Sequence, residues 1–474
     1  MPVLKEPLMV YDYLPLDQHS KKPLYQQLYE QIRRAVQEGH LSQGEKMPSI
    51  RKLAEDLELS RTTIEAAYQQ LCVEGYLKSK PQSGYFVAAS SKGRVYLRRI
   101  PVDNYRRIQR ALVKYNLGTD VVDLQNADLL RWKRCVKDVL NRRDVLVSYG
   151  EKQGEQELRE ALSSYSYSVR GVVSTADSIV IGAGTQQLLS VLCGLLPRDS
   201  VIAIEEPGFR QAEQVFQDYG FPLRLVGGDQ EGISMRELEA SKASVLFVSP
   251  SNRMKARDAI PMSRRFEILN WAQQRGRLVI EDDYNGELRY SAKPIPALQS
   301  LSDGKRVAYL GSFSKLLLPS VRIGYLAMPE ELAYPYWEKS AGYNQTASKI
   351  EQLALARYIQ EGSLERQLRR LRKLYAAKSA MFFQEVTRAF QNRVKLSLWE
   401  TSLCFRLEPS SGLPRKELVR LALSNGVRLT LREGRGEGDI LAGFAGIPAE
   451  GIQEAVAALR EAWNPVLDRK ADKD

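Results

Sequence analysis

Tyr309–Tyr325 reads YLGSFSKLLLPSVRIGY. An apolar run ends in the small hydroxyl residues Ser312 and Ser314, Lys315 follows directly, and Arg322 comes seven residues later. A lysine so placed can form a Schiff base with a carbonyl cofactor, while the hydroxyls and the guanidinium can hold a phosphate. Outward from this stretch, from about Gly118 to Pro465, short apolar runs alternate with helical stretches: SIVIGAG before TQQLLSVLCGLL, then SVIAIEEP, SVLFVSP and LVIEDDY. The alternation predicts an α/β layer domain with a mostly parallel sheet, whose ligands collect at strand ends.

Three more motifs fall at such ends. IGAGTQQL sets Gly182, Gly184 and Thr185 between a strand and a helix start, where backbone amides and the helix dipole favour a phosphate. EEPGF places Phe209 just after a strand, and VIEDDYNGE offers Asp282 and Tyr284. In this order the motifs resemble those of fold-type I, aspartate aminotransferase-like enzymes that use pyridoxal 5'-phosphate (PLP). The resemblance implies that Lys315 holds PLP as an internal aldimine, with Ser312, Ser314 and Arg322 gripping its phosphate beside Gly184 and Thr185. It implies further that Phe209 stacks on the ring, that Asp282 pairs with the pyridine nitrogen and Tyr284 with the phenolic oxygen, and that Asn252 faces the cofactor. Tyr149, in SYGEKQGEQELREAL, is similar to the tyrosine that reaches the phosphate from the other subunit, which implies a swapped, head-to-tail homodimer.

The N-terminal segment has another character. PLYQQLYEQIRRAVQEGHL from Pro23 spaces Leu24, Leu28, Ile32 and Val36 as one helical face, with Gly39 as its stop. SIRKLAEDLELS follows, Ser49 capping a helix whose inward residues are Ile50, Leu53, Ala54 and Leu57. After a short break, RTTIEAAYQQLCVEGYL points Ile64, Ala67, Tyr68 and Leu71 inward. Two short helices joined this way predict a helix-turn-helix that presents Arg61, Thr62 and Thr63 to a DNA groove. GYLKSKPQSGYFV reads as a hairpin with its tip at Pro81–Gly84, a wing bearing Lys78 and Lys80. Over about Pro23 to Val87 this pattern resembles the GntR family of winged-helix regulators, which implies that Arg51, Arg61, Thr63 and the wing glycine Gly84 lie at the DNA.

Composition narrows the rest. Of 474 residues 43% are apolar, and the longest apolar runs, such as Leu188–Leu196, are about half a membrane span. The start MPVLKEPLMV lacks a signal-peptide layout, so the cytoplasm is the expected compartment. Cys72, Cys135, Cys193 and Cys404 form no CxxC pair, and His19 and His40 are the only histidines; metal sites and histidine-based triads are thereby set aside. Net charge is +12, and residues 78–115 hold ten basic side chains against Asp103 alone, an excess suited to DNA or to a charged linker.

These boundaries give a winged helix-turn-helix over 1–88, a basic linker over 89–117 and a PLP-binding, effector and dimerisation domain over 118–474. Such a fusion is similar to the MocR subfamily of GntR regulators, of the GabR type, on the phrases IGAGTQ, EEPG, MSRR, NWA, IEDDY, IPALQSL and FSK. The resemblance implies a transcription regulator that binds operator DNA and senses an amine-bearing small molecule, an amino acid or a related compound, through the PLP aldimine. The alternative is a working aminotransferase that carries a DNA-binding module. Two departures bear on this choice. Where the GabR type writes GFAR with a carboxylate-binding arginine, this chain has Gly446. The loop after SPS reads NRMKARDAIP, so Arg253, Lys255 and Arg257, with Arg210 and Arg432, remain as cations for an effector's carboxylate.

Overall fold

Ser49 and Ser60 begin two helices by the same device. Each sits in extended backbone, and its side-chain oxygen accepts a hydrogen bond from the N–H three residues on, that of Lys52 and of Thr63. Caps of this kind satisfy amides that a helix start leaves unpaired and contribute about 1 kcal/mol each. The computed structural model describes residues 16–17, 20, 22–88, 113–123, 125–206, 208–251, 259–291, 295–399, 401–432 and 438–467. The chain divides into two compact units, Met1–Val102 and Asp103–Asp474.

In the first unit, α1 (Leu24–Glu38) stops at Gly39, whose φ of 82° is left-handed. α2 (Ile50–Asp56) and α3 (Arg61–Val73) follow the two serine caps. Leu28, Ile32, Val36, Leu53, Ile64, Ala67, Tyr68 and Leu71 are buried together, so the helical spacing in the sequence is the packing face. Ile50 and Leu57, expected inside, are half-buried at the margin of that core. β1 (Leu77–Lys80) and β2 (Gly84–Val87) pair antiparallel, with Leu77 opposite Val87 and Lys80 opposite Gly84.

The second unit begins to pair earlier than the expected linker, 89–117, allows. The N–H groups of Lys114 and Tyr115 donate to the Gly426 carbonyl, Tyr115–Asn116 runs parallel to Val427–Arg428, and Leu117 is fully buried. Backbone pairing and one buried leucine fix this end of the segment, whereas 89–112, with its arginines, lies outside the described residues.

Seven strands make the main sheet: β3 (Ile179–Gly182), β4 (Ile202–Glu206), β5 (Leu223–Gly227), β6 (Val245–Val248), β7 (Leu278–Asp282), β8 (Val307–Ser312) and β9 (Gly324–Ala327). Their order is β3-β9-β8-β7-β6-β4-β5, parallel except for β9, which opposes both neighbours. Strands β3, β6 and β9 are buried along their whole length, as in a sheet covered on both faces. Gly324 pairs with Gly182 on one side and with Ser312 on the other. That one rung gathers three turns, distant in sequence, at one end of the sheet.

A smaller antiparallel sheet lies in the C-terminal part, built from β10 (Val394–Trp399), β11 (Cys404–Pro409), β12 (Thr430–Arg432) and β13 (Asp439–Gly443) in the order β10-β11-β13-β12. The buried ammonium of Lys378 ties its margin, bonded to the Asp123 carboxylate and to the Ala445 and Ile447 carbonyls. A buried lysine is tolerated here because an acid and two carbonyls meet its three donors. Among the described residues no helix is long and apolar enough to cross a membrane.

Candidate functional site

The Gly182–Gly324–Ser312 rung sets the geometry. Beyond Gly182 the chain turns at Gly184, φ 101° and ψ 176°, and enters the helix Thr185–Leu195, whose start no side chain caps. Its first amides and its dipole are thereby left for an anion. Arg322 stands over this turn, its Nη2 donating to the Ala183 carbonyl at 3.4 Å. A Cβ at Gly184 would lie 2.8 Å from that same Nη2. Arg322 itself has a left-handed φ of 51°, a strained backbone held where its side chain is needed. Across the rung, Ser312 Oγ donates to Ser314 Oγ at 3.2 Å. Amides, two hydroxyls and a guanidinium at one strand end suit a phosphate.

Lys315 follows, 6% exposed, with Nζ donating to the carbonyls of Thr119 at 2.6 Å and Val121 at 2.9 Å. Burial pulls its ammonium down to about 8, while the Asp120 carboxylate draws the other way. An ammonium that gives up its proton this close to neutrality keeps an uncharged fraction that is a nucleophile for a carbonyl.

Strand alternation arranges the acids of VIEDDY. Asp282 and Tyr284 face a cavity of about 240 Å³. Glu281 and Asp283 face the other way: Glu281 accepts from the amides of Leu298 and Gln299 at 2.7 and 2.8 Å. Asp283 takes Arg170 Nε at 2.6 Å, Arg170 Nη2 at 3.1 Å and the Tyr309 hydroxyl at 2.8 Å, all buried. That anchor fixes the backbone between the two cavity residues. Burial, then the Asp283 charge, pushes the Asp282 carboxyl up to about 7, and the Ser249 hydroxyl reaches it at 3.4 Å. Among the described residues Asp282 has no cation beside it, so a protonated ring nitrogen would supply the missing partner. Burial pushes Tyr284 up to about 12, which leaves its phenol a donor at neutral pH.

Phe209 lines the same cavity, its ring parallel to within 17° of Phe247 at 6.4 Å between centroids. The donor set therefore fits PLP: a phosphate cradle, a buried amine, a carboxyl lacking a cation and a flat aromatic wall. Tyr149 is fully exposed, at 103% of its reference surface, and Val147 nearby is exposed as well, at 87%. Asn252 lies outside the described residues, as do Arg253, Lys255 and Arg257.

The C-terminal part of the site differs from the reading of Gly446 as an absent arginine facing the effector. A Cβ at Gly446 would meet Val121 Cγ2 at 2.3 Å, so position 446 packs under the strap that holds Lys315 and is not part of the cavity lining. The wall is made by Trp399, Cys404 and Leu441, with Arg432 stacked 5.7 Å over the Trp399 ring. Sequence reasoning missed Trp399, Leu441, Ser249 and the carbonyls of Thr119 and Val121. The first two lie on ordinary apolar strands, and a carbonyl leaves no mark in a sequence.

On the first unit, Arg51, Arg61, Thr62, Lys78 and Lys80 are exposed, and Thr63 and Gly84 are half-buried. The hydroxyls of Thr62 and Thr63 lie 2.8 and 2.7 Å from Ser60 Oγ, so they also serve the cap of α3. Arg51 pairs with Glu55 at 3.0 Å, and the Lys80 ammonium rests 4.7 Å from the Phe86 ring centre.

Residues 24–87 match the profile of bacterial regulatory proteins of the gntR family, and residues 113–405 that of class I and II aminotransferases. The HTH-type transcriptional regulator YdeL of Bacillus subtilis is 33% identical over 93% of this chain and 97% of its own length. The probable rhizopine catabolism regulatory protein MocR of Rhizobium meliloti is 28% identical over 95% and 96%. The pyridoxine biosynthesis transcriptional regulator PdxR of Corynebacterium glutamicum is 30% identical over 76% and 78%. Among solved structures, the kynurenine aminotransferase of Pyrococcus horikoshii aligns with a TM-score of 0.67 at 22% identity, over 77% of this chain and 95% of that one. At that identity the likeness is one of fold.

Proposed function

Because this chain belongs to the helix-turn-helix transcriptional regulators that join a gntR-family domain to a class I and II aminotransferase domain, we propose that it senses a small amine at a PLP site. Lys315 is the residue that holds the cofactor. Gly184, Thr185, Ser312, Ser314 and Arg322 take its phosphate, Asp282 its ring nitrogen, Tyr284 its phenolic oxygen, and Phe209 lies against its ring. Bound PLP supplies a carbonyl carbon that exchanges one amine for another. The chain's own part is to ease the proton off the Lys315 ammonium and to orient the ring.

The observation that carries this reading is the buried Lys315 amine, drawn down to about 8, one strand end away from Asp282, which has no cation beside it among the described residues. Tyr149, open to solvent together with Val147, is available to a second copy, which supports a head-to-tail homodimer that completes each site. Operator contact belongs to α2 through Arg51, to the α3 start through Arg61, Thr62 and Thr63, and to the wing through Lys78, Lys80 and Gly84. The division 1–88, linker and effector domain follows the same reading, with the linker ending before Lys114.

The test is visible absorbance of the PLP-loaded protein titrated with amines and amino acids, with operator DNA affinity followed in parallel. A band that shifts with one amine and changes DNA affinity supports sensing. Steady conversion to the amino form of the cofactor with a keto acid acceptor would support the aminotransferase alternative. A Lys315→Ala protein that kept the lysine-bound absorbance would refute the assignment of that residue.

A further inference from the structure

The carbonyls that grip Lys315 belong to a short strap, residues 117–121, laid against the C-terminal part of the second unit. At its start the Leu117 N–H donates to the Arg428 carbonyl at 2.9 Å, and the Leu117 carbonyl accepts from the Gly443 N–H at 2.7 Å. Further on, the Thr119 N–H donates to Thr430 Oγ1 at 3.1 Å, and Arg428 Nη2 reaches the Asp120 carboxylate at 2.9 Å. Lys315 Nζ holds the rest, on the carbonyls of Thr119 at 2.6 Å and Val121 at 2.9 Å. Two glycines make room for so close an approach. A Cβ on Gly443 would lie 2.5 Å from the Gly118 carbonyl oxygen, and one on Gly446 would lie 2.3 Å from Val121 Cγ2. Thr119 also lines the cavity that Asp282 and Phe209 face. Just upstream, the Lys114 N–H donates to the Gly426 carbonyl at 2.8 Å, where the chain arriving from the first unit begins to pair with the second.

A count of donors gives this arrangement two states. An ammonium has three N–H donors, and Lys315 spends two of them on the strap. When Nζ joins a carbonyl carbon, a C=N bond forms, the carbonyl oxygen leaves as water, and Nζ keeps one N–H at most. It can then serve only one of the two strap carbonyls. When a second amine takes over that carbon, its nitrogen makes the new C=N bond and its two hydrogens pass to Nζ, so Lys315 regains the donors it lost. Resting on the sensing function above, we propose that the strap reports which amine the cofactor carries: Lys315 loosens it on taking PLP and grips it again once an effector amine has displaced the lysine. The strap passes that difference to Lys114, and so to the linker. Gly446 is the position that permits the device, since a side chain there would push Val121, and its carbonyl, away from Nζ.

The test is hydrogen–deuterium exchange of the full-length protein loaded either with PLP or with pyridoxamine 5'-phosphate, which suits the same site but cannot join Lys315. Amides 114–121 are expected to exchange about 5- to 150-fold faster with PLP, the usual range for coupling between sites. Lys315→Ala should make the two cofactors indistinguishable by exchange. Gly446→Ala, outside the cavity lining, should keep the lysine-bound absorbance and show fast strap exchange with either cofactor. Equal exchange in the two forms of the wild type, with the lysine-bound band present, would overturn the proposal and leave sensing in place. Slow strap exchange in Gly446→Ala loaded with pyridoxamine 5'-phosphate would overturn it as well. A strap that told the two cofactors apart, in a protein whose band no amine moved, would remove sensing and with it the strap's part as a reporter.

Discussion

Raising the pH from 6 to 10 tests Lys315 most directly, because burial has moved its ammonium from 10.5 to about 8. That displacement corresponds to about 3 kcal/mol of lost preference for the charged form. At pH 7 about one lysine in ten is then neutral, against about one in three thousand for an ordinary side chain, a gain of roughly 300-fold in reactive amine. Mixing PLP-free protein with PLP and following the lysine-bound absorbance gives the rate of capture. The rate should rise about ninefold from pH 6 to 7, about fivefold from 7 to 8, and less than twofold from 8 to 9, where it levels off. A rate that kept climbing tenfold per pH step up to 10 would refute the reasoning.

The same group makes a second, thermodynamic mark. Its pKa is lower folded than unfolded, so between about 8 and 10.5 the unfolded chain binds more proton. Stability of the PLP-free protein therefore gains from this residue as pH rises through that window and is diminished by it below about 8. Lys315→Met should flatten that rise by up to about 3 kcal/mol in urea titrations at pH 7.5 and 10.

Other substitutions read other parts of the molecule. Gly184→Ala places a side chain at φ 101°, 2.8 Å from Arg322, and should weaken PLP binding about 5- to 150-fold by equilibrium titration, the equivalent of about 1 to 3 kcal/mol of strain. Unchanged affinity would remove the turn from the phosphate site. Asp283→Ala leaves Arg170 buried without its acid and should cost about 3 to 5 kcal/mol of unfolding free energy, seen as an early thermal or urea transition. Arg61→Ala should lower operator affinity, reduce the salt slope by about 0.9 if its contact is a phosphate, and leave the PLP absorbance intact.

The parts of this molecule that the sequence made legible are those in which a side chain must sit at a particular step of a strand or helix. VIEDDYNGE puts Asp282 and Tyr284 at the end of an apolar strand, and Ser49 announces a helix start. What stayed hidden has no such signature. The carbonyls of Thr119 and Val121 hold Lys315 whatever side chains those residues carry, and the Arg170–Asp283 anchor joins positions 113 residues apart. Position 446 misleads for a related reason: a motif read by likeness names a residue, whereas the place of its Cβ against Val121 is a matter of packing.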